Sequence, residues 1–486
     1  MVDDATRPEQ QHGLVVVANR LPIQRVGDQW QTSPGGLVRA LLGVVRAQHG
    51  AWVGWAGDTG SDDDSRELGG MTDLPQPEEV EGIEFVPVPL TDSEFLHYYE
   101  RISNDALWPL FHDAIRESHF DPESWSVYRD VNRKFADAAA EQVAPGGIAW
   151  VHDYHLMLVP AMIRERRPDI RIGFFLHIPF PPQELFMRMP WRDEVLLGLL
   201  GADLVGFQRP VGAENFVALA KRLLNADTAD DTVLTDDGRR VVVGAFPVSI
   251  DVAEIEELAS RPELQTKAKE IRRRLGDPDA VFLGVDRLDY TKGIDLRLAS
   301  FGQLLEARGQ PWADADNAPI VMIQVAVPGR EGVESYVEER HRVEQLVGDI
   351  NGGYASIGHP VVHYLRRSFS LADLVPLYLA ADVMVVTPRR DGMNLVAKEF
   401  VAAHVDGRGI LILSEFAGAA GELIDAVQVN AYDPDALVSA MNAALEMSPD
   451  EQARRMASLR DVVTAHDVHE WAESFLAAVT EVPSHA

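Results

Sequence analysis

The stretch ADVMVVTPRRDGMNLVAKEF, residues 381–400, starts as one kind of structure and ends as another. After Ala381 and Asp382 it runs through the apolar, β-branched VMVV, passes two arginines, an aspartate and a glycine, and continues into residues that favour helix. A continuous apolar run, without strict alternation, marks a strand buried on both faces. Asn394 ahead of LVAKEF is an N-cap signal, which makes the polar segment a strand-to-helix loop. The stretch is therefore half of a βαβ crossover.

The same pattern recurs along the chain. LVVVANR (14–20), IAWVHD (148–153), RIGFFLHI (171–178), ADLVGF (202–207) and RVVVGAFPV (240–248) form one set of expected strands. AVFLGVDRL (280–288), PIVMIQVAV (319–327), VVHYL (361–365), ADVMVV (381–386) and GILILSE (409–415) form a second. Helix-like stretches lie between them, so the fold class is α/β. Two Rossmann-like, doubly wound domains are expected to face each other across a cleft. The boundary is placed at AFPVSIDVAE, giving domains 1–248 and 249–465. The last amphipathic stretch, about 466–486, is free to pack back on the first. Residues 72–90, rich in proline, read as irregular.

With 44 basic and 76 acidic residues the formal charge is −32, which argues against nucleic acid or an anionic membrane as partner. An anionic ligand would then need cations and helix amino termini gathered in one place. No apolar stretch is long enough to span a bilayer. The polar, acidic amino terminus lacks the features of a signal peptide. The chain has no cysteine, which removes disulfides, thiolate zinc sites and cysteine nucleophiles and suits the cytoplasm.

In open α/β sheets ligands bind beyond the carboxyl ends of the strands, so the polar residues there are the candidates. After AVFLGV comes DRLDYTKG, with Arg287 and Lys292 on one loop and Gly293 allowing a sharp turn. Two cations there suit a diphosphate and the charge it gains on leaving; a surface loop paired to Asp286 and Asp289 has the same spacing. Capping by Asn394 would point the backbone N–H groups of Met393, Asn394, Leu395 and Val396 at an anion. Glu399, one turn further, is placed to accept from a ribose, and Asp391 from a sugar hydroxyl; a capped helix with an exposed glutamate is the alternative. Gly35 and Gly36 of SPGGL permit close backbone approach to a diphosphate. Asp62–Asp64 suits a divalent metal or an exposed acidic loop. His152 and His155 of HDYH suit packing or hydrogen bonding better than metal. No Walker A or GxGxxG motif follows any strand.

RDGMNLVAKE with RLDYTKG upstream resembles the retaining glycosyltransferases of the two-Rossmann (GT-B) architecture. HDYHLMLVP, FFLHIPFP and DGMNLVAKEF are more specific and resemble the trehalose-6-phosphate synthases, glycosyltransferase family 20. The resemblance runs from VVVANRLP through SPGGL, WVGWAGDTG and YYERISNDALWPLFH to AKEFVAAH, nearly the whole chain. The segment between Arg20 and Gly35 is several residues longer than the bacterial pattern.

The resemblance implies transfer of glucose from a nucleotide glucose, UDP- or ADP-glucose, to glucose 6-phosphate with retention of configuration. It assigns donor contacts to Gly35, Gly36, Arg287, Lys292, Asp391, Met393, Asn394, Leu395, Val396 and Glu399. His177 would lie against the donor glucose. Acceptor contacts fall on Arg20, Tyr99, Trp108, Asp153 and Arg330. Arginines suit a phosphate monoester and aromatic rings a pyranose. The catalytic set is Arg287, Lys292, His177 and Asp153, with no metal and no cofactor. A homo-oligomer is expected, with a tetramer as a candidate state. The rivals are a GT-B transferase with another acceptor and a catalytically weak sugar-phosphate sensor. The paired arginines, Arg20 and Arg330, speak against the first, and the intact Arg287, Lys292, Asp391 and Glu399 against the second.

Overall fold

A computed structural model describes residues 11–26, 29–32, 36–60, 82–116, 118–309, 320–330 and 332–482. The chain divides into two units: Val248–Val468, and the residues on either side of that segment.

In the first unit the sheet strands are β1 (His12–Arg20), β2 (Ala51–Trp55), β3 (Glu84–Pro87), β4 (Val143–His152), β5 (Arg171–Phe175), β6 (Leu204–Phe207), β7 (Asp227–Ala229), β8 (Thr232–Leu234) and β9 (Arg240–Ala245). They lie in the order β3-β2-β1-β4-β5-β6-β9-β8-β7. All neighbours are parallel except the β7–β8 and β8–β9 pairs. Leu14 to Val17 are fully buried, as expected of a central strand covered on both faces. Residues 72–90, read as irregular, instead yield the edge strand β3 beside β2; its terminal Pro87 needs no ladder partner there. Residues 72–81 lie outside the described set.

The final helix, α4 (Val468–Glu481), passes most of its length in this unit. Phe475 stacks on Trp150 with centroids 4.8 Å apart, and Trp471 donates from Nε1 to Phe246 O at 3.0 Å. Gly173 and Gly206, on neighbouring strands, make room for the Phe475 ring: a Cβ at either would fall 2.8 or 2.6 Å from it.

The second unit holds β10 (Ala280–Arg287), β11 (Ile320–Val327), β12 (Val362–Leu365), β13 (Val383–Val386), β14 (Ile410–Ser414) and β15 (Val427–Val429). Their order is β12-β11-β10-β13-β14-β15, parallel throughout. Phe282, Leu298, Phe301, Met322, Val385, Ile412 and Met441 belong to one buried core between sheet and helices.

Both sheets reverse direction at one point, between β1 and β4 and between β10 and β13. Strand order there forces the crossover connections apart, leaving open the carboxyl ends where ligands of doubly wound folds bind. Arg20 ends β1 and Asp153 follows β4 in the first unit, and Arg287 ends β10 and Asp391 lies beyond β13 in the second. Among the described residues no helix is long and apolar enough to cross a membrane.

Candidate active site

In the second unit, β10 ends at Arg287 and leads into a single 3₁₀ turn, Tyr290–Lys292. Asp289 caps that turn, accepting from Thr291 N and Thr291 Oγ1 at 3.0 and 2.9 Å through Oδ1. Its other oxygen, Oδ2, accepts from Arg287 Nη2 at 3.4 Å and from Tyr336 OH at 3.3 Å. Tyr336 OH in turn accepts from Arg330 Nη1 at 2.5 Å. Burial alone would push the Asp289 carboxyl up, but Arg287, Arg330 and Lys292 outweigh it and hold it below the usual range. This fully buried carboxylate therefore stays ionised and organises the cations around it.

Gly293 (φ 61°) starts helix α2 (Ile294–Ala307) in the left-handed region, and a Cβ on it would lie 2.2 Å from Thr387 O. That close approach joins the loop after β10 to the loop after β13. Thr387 Oγ1 donates to Gly293 O at 3.1 Å, and Arg389 N donates to Thr291 O at 2.7 Å. Lys292 Nζ then reaches Asp391 Oδ2 at 2.6 Å. Of the two acids in the surface-loop alternative, Asp289 does meet Arg287, whereas Asp286 is buried against Arg297 Nη1 at 2.7 Å and Lys292 turns to Asp391 instead.

Asn394 caps helix α3 (Leu395–Ala403), its Oδ1 accepting from Ala397 N at 3.0 Å. Its amide Nδ2 donates to Asp391 Oδ2 at 3.2 Å, and its φ of 144° is a rare conformation for a residue with a Cβ. The neighbouring loop enforces it. Asp391 N donates to Phe416 O, Gly418 N donates to Asp391 O, and a Cβ on Gly418 would fall 1.8 Å from Gly392 O. Glu399 is 7% exposed, not a solvent-facing side chain, and its Oε2 accepts from Tyr378 OH at 2.6 Å. Lys398, beside it, is buried and bonds Val248 O at 3.0 Å and Glu422 Oε2 at 3.0 Å.

In the first unit, Arg20 stands at the end of β1 with its guanidinium 4.6 Å from the Trp55 ring and 5.8 Å from that of Tyr99. Gly54 permits this crossing, because a Cβ there would meet the Arg20 carbonyl carbon at 2.6 Å. Tyr99 stacks on His155 and Phe95, at 5.8 and 5.1 Å. It comes from a π-helical segment, Phe95–Leu107, whose wider turn lets Ser103 and Asn104 bond the carbonyls of Tyr98 and Tyr99. Trp108, expected beside a pyranose, is 5% exposed and packed on His112 and Tyr154.

Asp153 follows β4 at φ 75°, ψ 167°, a strained conformation for a non-glycine residue. Its Oδ1 accepts from His177 N at 3.2 Å, and its N donates to Phe175 O at 2.8 Å. His177 follows the adjacent strand β5, and its Nε2 lies 3.0 Å from His152 Nδ1. Burial holds the His177 imidazole down to about 3, so it is neutral at physiological pH.

Gly36 begins helix α1 (Gly36–Ala47), while Gly35 and the Asp62–Asp64 run lie outside the described residues. Asp289, Tyr336, Tyr378, Trp55 and the His152–His177 contact were not singled out from sequence as parts of a site. Asp289 was visible only as a neighbour of the cations, and Tyr378 carries no local signal that points to Glu399.

The pattern of glycosyltransferase family 20 matches residues 12–481. The chain belongs to glycosyltransferase family 20. A trehalose-6-phosphate synthase of Mycolicibacterium gilvum is 50% identical over 97% of this chain and 94% of its own length. One from Mycobacterium avium is 50% identical over 96% and 95%. Among solved structures, the E. coli enzyme bound with UDP-2-fluoro glucose aligns with a TM-score of 0.86 at 34% identity, over 97% of this chain and 99% of that one. A Burkholderia xenovorans synthase in complex with glucose 6-phosphate aligns at 0.84 and 30% identity, over 96% and 99%. The two doubly wound units read from the strand pattern are thus those of the GT-B architecture that the motif resemblance implied.

Proposed function

We infer that this chain is a retaining glycosyltransferase that moves glucose from a nucleotide glucose to glucose 6-phosphate, giving α,α-trehalose 6-phosphate and a nucleoside diphosphate. The observation that carries the reading is the gathering of Arg287, Lys292, Arg330 and the capped start of α3 around the switch point of one unit, in a chain of net charge −32. A protein so acidic collects cations at one place to meet an anion.

In this reading the donor diphosphate lies against Arg287, Lys292 and the N–H groups from Met393 to Val396, and Gly35 and Gly36 count among the donor contacts. Glu399, oriented by Tyr378, accepts from the ribose, and Asp391 from the donor sugar. His177 touches the donor glucose. Glucose 6-phosphate is met by Arg20, Tyr99, Trp108, Asp153 and Arg330. The bond from the anomeric carbon to the phosphate breaks as the acceptor hydroxyl attacks the same face. The departing phosphate takes the hydroxyl proton, and the fixed cations stabilise its growing charge. Domain limits of 1–248 and 249–465, with 466–486 returned to the first domain, a cytoplasmic location and homo-oligomeric assembly belong to the same proposal.

A panel of nucleotide glucoses against several sugar phosphates, read by product NMR, tests it. The expected product is the α,α-linked disaccharide phosphate from glucose 6-phosphate alone, at a rate unchanged by chelator. Nucleotide release without disaccharide, or turnover of a neutral acceptor in preference, overturns it.

A further inference from the structure

His177 is held from two consecutive residues. Asp153 fixes its main chain through Oδ1, and His152 meets its ring, Nδ1 to Nε2, at 3.0 Å. The two imidazoles stack with centroids 5.2 Å apart and planes 20° from parallel. Burial keeps both neutral: it takes His177 to about 3 and, with His177 adding to it, takes His152 well below its ordinary value. A neutral imidazole carries one N–H, so a single proton lies between the two rings.

Two arrangements satisfy that count. In one, His152 donates from Nδ1, its Nε2 is a bare lone pair, and His177 carries its proton on Nδ1. In the other, His177 donates from Nε2, and His152 must carry its proton on Nε2. That atom is buried and meets no hydrogen-bond partner among the described residues, on a ring packed 4.7 Å from Trp150. An orphaned buried N–H is rarer in folded proteins than an under-satisfied acceptor, so the first arrangement wins. His177 is only partly buried as a residue, and its Nδ1 takes no protein partner among the described residues.

We propose that His152 is a positioning residue: it donates Nδ1–H to His177 Nε2 and so fixes His177 as the Nδ1–H tautomer, which presents a hydrogen-bond donor to a hydroxyl of the donor sugar. The tautomer follows from the contacts around His152; only the identity of the hydroxyl rests on the function proposed above. A ring locked as a donor is preorganised for a sugar oxygen and cannot act as a base at that atom.

The test is ¹⁵N NMR of histidine-labelled full-length protein, with the His177 signal identified by its loss in His177→Gln. The expected pattern is a protonated Nδ1 and an unprotonated Nε2, constant from pH 5.5 to 8. A proton on Nε2, or an imidazolium in that range, overturns the proposal. In kinetics, His152→Asn places an amide N–H where Nδ1–H was and should hold turnover to within about threefold, while His152→Phe should lose about tenfold or more, the scale of one hydrogen bond. Equal losses in the two variants also overturn it. If the chain releases no nucleoside diphosphate with glucose 6-phosphate, the proposed function falls, while the NMR pattern still decides the tautomer.

Discussion

Lys292 Nζ lies 2.6 Å from Asp391 Oδ2, joining two loops whose residues are 99 positions apart in the chain. Both side chains are mostly buried, and the same Oδ2 also accepts from Asn394. The pair holds the ammonium beyond the carboxyl end of β10 instead of leaving it to sample solvent. Because a preorganised charge acts mainly on the transition state, Lys292→Ala should lower turnover by about 10²-fold or more with little change in thermal unfolding. Turnover near the wild-type rate would mean that this loop does not hold the leaving group.

Arg330 sits at the end of a chain of contacts through Tyr336 to Asp289. If it binds the acceptor phosphate directly, Arg330→Ala should raise KM for glucose 6-phosphate by about 10- to 100-fold, since a charged hydrogen bond is worth about 1.5–3 kcal/mol. KM for the nucleotide glucose should move far less. Equal rises for both substrates would show that Arg330 works through Asp289 on the Arg287 loop.

Glu339, on the helix Glu334–Tyr354, is buried near the Asp295–Arg389 pair. Burial, then Asp295, pushes its carboxyl up to about 7, against the opposing pull of Arg389 and Arg342. The folded state therefore keeps this proton over a range where the unfolded chain has lost it, and stability falls as pH rises from about 4.5 to 7. Glu339→Gln removes that titration. Its stability relative to wild type should improve by roughly 2 kcal/mol between pH 5.5 and 8, read by urea unfolding at both values. A difference independent of pH would show that Glu339 is ionised in the folded protein.

The sheets were legible because their central strands are β-branched runs buried on both faces, as in VMVV at 383–386 and VFLGV at 281–285. The strands that escaped notice are short or atypical. AWVGW at 51–55 holds a single valine among tryptophan, glycine and alanine, and β3, β7, β8 and β15, at or next to the sheet edges, run only three or four residues. The cations at strand ends stood out against an acidic chain. Their organiser did not, because Asp289 acquires its importance from burial and from Tyr336, which arrives from another element. Glu399 likewise meets Tyr378 only once the helix Leu371–Ala380 packs beside α3. Local pattern shows which residues reach the site; it does not show which distant side chains hold them.

Retention requires either two inversions through an enzyme carboxylate or attack on the face that the leaving group vacates. In the first unit the carboxylate at the switch point is Asp153, whose geometry suits a ligand better than a nucleophile. Its backbone is locked in a strained conformation, and its Oδ1 is already engaged by His177 N at 3.2 Å. A nucleophile would have to bring its other oxygen to the back face of the donor sugar from that fixed position. An acceptor ligand needs only to receive hydroxyls of glucose 6-phosphate where it stands. Asp153→Asn, which keeps an oxygen for His177 N, and Asp153→Ala should both weaken use of glucose 6-phosphate. Donor binding and any slow hydrolysis of the nucleotide glucose should persist in both. The measurements are nucleotide release with and without acceptor, and intact-mass spectrometry of the enzyme quenched during turnover. A glucosyl ester on Asp153, or complete loss of donor hydrolysis in both variants, would establish the two-step route and remove front-face attack.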